Sequence, residues 1–353
     1  MMEIPVKTQK PYSVLIGTGL LAQAGQLTKE RTGLCRAVIV SDERVEALYG
    51  PAARQAFAQA GFAVSGWSFP AGEASKNLDT LGRLLEWLAE EGLTRRDLLV
   101  DLGGGVTGDL PGFAAAVYLR GIRYVQLPTT LLAAVDSSVG GKTAVDLASG
   151  KNLCGAFKQP ELVVCDSSLL DSLAPETFAE GLAESVKYGV IADRNLFGAF
   201  KDGNYREGRL ERIIGRCVEI KGAVVAEDEF DNGARQLLNF GHTVGHGIEK
   251  LSHYGVSHGF AVAMGMAIMA RAAEALGWAV KPVAAELEAV LAKNGLPAEC
   301  GFGSAELAQA ALSDKKRRGE RITLIVPEEI GRCELKEIPV SQLEAVIRAG
   351  RKA

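Results

Sequence analysis

Short apolar runs alternate with helix-period stretches through the first half of the chain. YSVLIG (12–17) reads as a strand and 19–28 as a short helix. RAVIVS (36–41) reads as a buried strand, and the acidic pair Asp42 and Glu43 opens a helix that runs to about residue 60. Residues 62–69 predict another strand and 75–91 a strongly periodic helix carrying Leu78, Leu81, Leu84 and Leu85. DLLVDL (97–102) is a strand that runs straight into glycines; a helix over 109–118, the strand YVQLP (124–128), a helix over 130–138 and the strand ELVVCD (161–166) follow. This alternation predicts a largely parallel sheet covered by helices, in a first domain over residues 1–168.

Beyond that point strand signals nearly vanish. Stretches 176–189, 207–227, 233–250, 259–277, 283–293 and 304–313 read as helices; RITLIVP (321–327) and CELKEIP (333–339) look extended around the turn EEIG. Residues 169–353 therefore form a mostly helical second domain with a late hairpin. No repeat or long linker separates the two, and a ligand cleft between them is expected.

Composition narrows the class. Apolar residues make up 47% and charged residues 23%, and the net charge of -4 argues against a polyanion-binding surface, so no nucleic-acid partner is expected. The apolar helix 259–277 is broken by Gly265 and carries Arg271 and Glu274, so it reads as a core helix and not a membrane span. Six scattered cysteines without a CxxC pair, and an opening without an apolar leader, point to a cytoplasmic protein.

Three stretches carry candidate chemistry. All four histidines lie between 242 and 258, with His242 and His246 four apart on one helical face and His253 and His258 beyond a loop. Two of them plus an acid from elsewhere would make a zinc site with one open position. A polar helix end with capping histidines is the alternative, and spacing alone does not choose the ligands. The second stretch, DLGGGVTGDLPGFAAA (101–116), follows a strand and opens a helix, where backbone N–H groups favour a pyrophosphate. It is not a P-loop, and its glycines imply either close ligand approach or a tight structural turn. The third, residues 128–152, mixes hydroxyls, acids, Lys142 and Lys151 with apolar packing residues, which suggests a polar pocket for a phosphate or carboxylate.

The ordered set GEASK (72–76), GGGVTGD (103–109), QLPTTLLAAVDSSVGGKTAV (126–145), GKN (150–152), GLAESVKYG (181–189), LLNFGHTVGHGIE (237–249), HG (258–259) and DKK (314–316) resembles the 3-dehydroquinate synthase family of the sugar phosphate cyclase superfamily. The resemblance implies a Rossmann-like N-terminal domain, a helical C-terminal domain, NAD, and zinc or cobalt held by Glu184, His242 and His258. It implies that Asp42, Glu73, Lys76, Gly104, Gly105, Val106, Asp109, Thr129, Thr130, Asp136, Lys142 and Lys151 lie where NAD is held. Lys142, Asn152, Lys187, Lys221, Arg235, Asn239, His246 and Lys315 or Lys316 would meet the substrate, with Arg120 reaching the neighbouring subunit's site in a homodimer; His253 is ordinary.

The implied reaction takes 3-deoxy-D-arabino-heptulosonate 7-phosphate to 3-dehydroquinate and phosphate in the shikimate pathway, by transient oxidation, phosphate loss, re-reduction and aldol closure. Two departures from the family pattern, Asp146-Leu147 where Asn-His is common and Phe260 where Glu is common, keep related phosphosugar cyclases, such as 2-deoxy-scyllo-inosose and 2-epi-5-epi-valiolone synthases, in view. A metal-dependent polyol dehydrogenase is the other alternative.

Overall fold

A computed structural model describes residues 1–205, 208–231, 233–312 and 320–352. The chain divides into two units: Met1–Leu173 with Lys221–Phe230, and Ala174–Ile220 with Asp231–Ala353. The first therefore runs past residue 168 and takes back a short later segment.

The first unit contains β1 (Met2–Val6), β2 (Tyr12–Gly17), α1 (Ala24–Thr32), β3 (Arg36–Asp42), α2 (Glu43–Ala60), β4 (Ala63–Phe69), α3 (Leu78–Glu90), β5 (Leu98–Gly103), α4 (Gly105–Val117), β6 (Arg123–Pro128), β7 (Lys142–Leu147), β8 (Gly150–Phe157) and β9 (Leu162–Asp166). Seven strands form one sheet in the order β1-β2-β9-β6-β5-β3-β4; only β1 runs antiparallel to its neighbour. Both faces of the central strands are buried, which is why they read as continuous apolar runs. Val38 and Val40 face a cluster with Leu81, Leu84, Leu88 and Phe113, while Ile39 between them packs with Leu15, Phe57 and Val125 on the opposite side. Each such large side chain withdrawn from water contributes about 1.5–3 kcal/mol. Two helix starts follow the capping rule: Asp42 accepts from the N–H groups of Arg44 and Val45, and Asn77 from that of Thr80.

Four expectations change here. The helix expected over 109–118 begins at Gly105, inside the glycine run. The helix expected over 130–138 is one π-helical turn, Ala133–Ser137, after two α-helical residues. The pocket-like stretch contains a separate hairpin, β7 with β8, that alternation did not reveal because glycines and polar residues interrupt it. β1 was likewise missed, since Pro5 weakens its strand signal.

The second unit contains α5 (Pro175–Ala192), α6 (Arg194–Gly198), the part of α7 (Arg209–Glu227) up to Ile220, α8 (His242–Leu251), α9 (His258–Ala275), α10 (Ala284–Lys293), α11 (Ser304–Leu312), the hairpin of β10 (Arg321–Glu329) and β11 (Arg332–Pro339), and α12 (Leu343–Ala349). The single helix expected over 233–250 is two pieces. A 3-10 segment, Ala234–Asn239, ends at Phe240, and Gly241 turns the chain with φ 80° before α8 starts at His242. α8 lies against α9 almost backbone to backbone: a Cβ on Gly265 would come 2.0 Å from the carbonyl oxygen of Gly241. Among the described residues no helix is long and apolar enough to cross a membrane.

Candidate active site

In the second unit, three helices bring their acids and imidazoles together. Glu184 lies on α5, fully buried; His242 opens α8 and His258 opens α9. The Nε2 atoms of His242 and His258 each stand 3.5 Å from Oε1 of Glu184. That oxygen is buried and has no hydrogen-bond partner. A buried carboxylate oxygen without a partner costs about 1–3 kcal/mol unless something else satisfies it. Tetrahedral ligands with bonds of ~2.1 Å lie about 3.4 Å apart, so the two histidine-to-glutamate spacings fit a zinc-sized dication.

The outer contacts orient the same atoms. Nδ1 of His242 lies 3.1 Å from the carbonyl of Phe240, and Nδ1 of His258 lies 3.3 Å from Oε2 of Glu249. Each ring that donates through Nδ1 presents the lone pair of Nε2 inward. Lys187, one turn along α5 and 1% exposed, ion-pairs with Oε2 of Glu184, which leaves Oε1 to the histidines. In the metal-free protein burial disfavours a charged His258, but the adjacent carboxylates of Glu184 and Glu249 outweigh it and push its pKa up to about 10.

His246 completes a second grouping with Glu249 and His258, its ring 5.4 Å from that of His242. His253 stands apart, exposed in a turn with φ 51°. Arg235, 2% exposed, and Asn239 lie on the 3-10 segment before α8. Glu249 was not foreseen, although it lies three residues beyond His246 and seven beyond His242 on the same helical face.

The first unit gathers the residues expected around a dinucleotide beyond the carboxyl ends of adjacent parallel strands, the usual ligand edge of such a sheet. Asp42 ends β3; Glu73 and Lys76 follow β4; Gly104, Gly105, Val106 and Asp109 follow β5; Thr129 and Thr130 follow β6. Thr129 N–H donates to the carbonyl of Gly103, tying two of these strand ends together. α4 has no side-chain cap at Gly104, so the cap residue satisfies none of its first N–H groups. The glycines also serve the fold itself: a Cβ on Gly104 would lie 2.9 Å from Cγ2 of Thr130.

Lys76 is 5% exposed and joins Asp109, 2.5 Å from Oδ2, to Asn152, 2.5 Å from Oδ1. Burial disfavours the ammonium, yet Asp109 and Glu73 keep its pKa above the ordinary range. Lys151 pairs with Glu73 at 3.5 Å, and Lys221 ion-pairs with the carboxylate of Asp136 while donating to its carbonyl. Beneath α4, the unforeseen Asp101 is buried with Oδ1 unpartnered, and burial, reinforced by Asp109, raises its pKa well above the carboxylate range. Lys142 begins β7 and is exposed. Arg120 is exposed in a 3-10 turn with φ 66°. Lys315 and Lys316 lie outside the described residues.

Comparison with known proteins agrees with the ordered motifs. Residues 67–180 match the family description "3-dehydroquinate synthase N-terminal" and residues 181–317 match "3-dehydroquinate synthase C-terminal". The 3-dehydroquinate synthase of Streptococcus mutans serotype c is 40% identical over 342 residues, covering 95% of this chain and 96% of that protein. That of Clostridium kluyveri is 42% identical over 347 residues, covering 97% and 96%. Among solved structures, a 2-deoxy-scyllo-inosose synthase complexed with carbaglucose-6-phosphate, NAD+ and Co2+ superposes with a TM-score of 0.89 at 26% identity, covering 99% of this chain and 100% of that one. The chain belongs to the 3-dehydroquinate synthase family and is an enzyme of its lyase class.

Proposed function

We propose that the protein converts 3-deoxy-D-arabino-heptulosonate 7-phosphate to 3-dehydroquinate and phosphate, a step of aromatic amino acid biosynthesis, using NAD and a zinc or cobalt ion. The observation that carries the reading is the meeting of His242 and His258 Nε2 atoms on the orphaned Oε1 of Glu184. In a chain at least 40% identical, nearly end to end, to two 3-dehydroquinate synthases, that cluster has a ready use.

When bound, NAD would accept and return a hydride, and the metal would polarise substrate oxygens. Everything else falls to side chains. Glu184, His242 and His258 hold the metal, and Glu249 fixes the ring of His258. Asp42, Glu73, Lys76, Asp109, Thr129, Thr130, Asp136 and Lys151 surround the dinucleotide, with the uncapped start of α4 at Gly104, Gly105 and Val106 receiving its pyrophosphate. Lys142, which also borders the cofactor, Lys187, Lys221, Arg235 and Lys315 or Lys316 supply cations for the substrate's phosphate and carboxylate. Asn152 and Asn239 bind hydroxyls, and His246 moves a proton. Arg120 serves the site of the neighbouring subunit in a homodimer. A cytoplasmic setting is consistent with six free cysteines.

Product identification tests the proposal. NMR of the reaction mixture should show 3-dehydroquinate from the heptulosonate and no carbocycle from hexose 6-phosphate or sedoheptulose 7-phosphate. Cyclisation of a phosphosugar without the carboxylate, and none of the heptulosonate, would assign the chain to a different cyclase.

A further inference from the structure

We infer that Asp146 is a positioning residue that fixes Asn152 as a hydrogen-bond donor to substrate; this rests on the reading of Asn152 as a substrate contact. Asn152 lies at the start of β8 with φ 54°, a left-handed conformation that Asn tolerates better than most residues but still at a cost. In that conformation its backbone N–H donates to Oδ1 of Asp146 across the hairpin, at 2.7 Å. Asp146 is itself tied down, since its N–H donates to the carbonyl of Lys76 at 2.8 Å and it pairs with Asn77 in an isolated parallel bridge.

The side chain is then held from a second direction. Nζ of Lys76 lies 2.5 Å from Oδ1 of Asn152. An ammonium has no acceptor, so the amide atom facing it must be the oxygen. Lys76 cannot follow a reoriented amide, because it is buried and bound to Asp109. Nδ2 consequently points away from Lys76 and offers only hydrogens, and no described residue accepts from it. Asn152 is exposed, so a ligand can reach that group. What it suits is an oxygen acceptor, a hydroxyl or a carboxylate of the substrate. Without the acceptor on Asp146, the left-handed backbone loses its local partner and the amide loses its fixed direction.

Steady-state kinetics on four proteins tests this: wild type, Asp146→Ala, Asn152→Ala and the double variant. Each single variant should lose about tenfold in kcat/KM, and the double variant should be no worse than Asn152→Ala alone, because the two residues act as one unit. Asp146→Asn keeps an oxygen for the Asn152 N–H and should recover most of the loss. Should the alanine variant not fold, Asp146→Ser, compared in both backgrounds, answers the same question. Losses that multiply in the double variant, or an Asp146→Asn as poor as Asp146→Ala, would overturn the positioning role while leaving Asn152 as a substrate contact. An Asn152→Ala enzyme with wild-type kcat/KM would instead remove the substrate-contact reading and this inference with it.

Discussion

Lys187 ion-pairs with one carboxylate oxygen of Glu184, and the other oxygen is left buried, without a hydrogen bond, 3.5 Å from two imidazole nitrogens. The lysine both compensates the buried charge and decides which oxygen is available. The first expectation follows directly. His242→Ala removes one of three ligands and should leave the purified protein with little metal by elemental analysis and with almost no turnover. Full metal occupancy in that variant would contradict the ligand assignment.

Glu249 stands outside the Glu184, His242 and His258 grouping, but its carboxylate accepts from the ring of His258. Glu249→Gln should weaken metal affinity about 10–100-fold, read by competition with a chromogenic chelator, because the amide orients His258 less firmly and raises its basicity less. An unchanged affinity would show that the contact is incidental.

The tight crossing of α8 and α9 supports the same site. Gly265→Ala places a methyl group 2.0 Å from the Gly241 carbonyl, so the two helices must part. Denaturant unfolding should show a loss of at least ~1–3 kcal/mol, and metal affinity should fall with it, since these helices carry His242 and His258. Wild-type stability would mean that the crossing relaxes freely.

The sequence disclosed these features unevenly. The parallel sheet was legible because β3 and β5 are buried on both faces, leaving unbroken apolar runs, and α3 because of its leucine period, of which Leu81 and Leu84 are buried while Leu78 is exposed. The hairpin of β7 and β8 was not, because glycines and polar residues interrupt its alternation, and its link to the chain at Lys76 and Asn77 comes from residues far away in sequence. A break at Gly241 hid inside a continuous helical pattern, since periodicity does not register one residue with positive φ. The histidine cluster announced a metal site, yet Glu184 entered only through resemblance: its helix is remote in sequence and brought near by packing. Glu249 was within reach of helical spacing alone and was overlooked.

Arg120 provides a test of assembly. Its exposed turn holds Leu119 and Arg120 at positive φ, and Leu119 is 40% exposed. If the arginine serves a neighbouring subunit, the protein should sediment as a dimer at assay concentration, and Arg120→Ala should lower turnover without emptying the metal site. A fully active monomer would remove that role.

The fate of the cofactor separates the two enzyme classes most directly. A cyclase returns the hydride it takes, whereas a dehydrogenase releases one NADH for each substrate oxidised. Phosphate and absorbance at the NADH band should therefore be followed together, with 3-deoxy-D-arabino-heptulosonate 7-phosphate and catalytic NAD. The predicted result is many equivalents of phosphate per enzyme with no net NADH; one NADH formed per substrate consumed would contradict it.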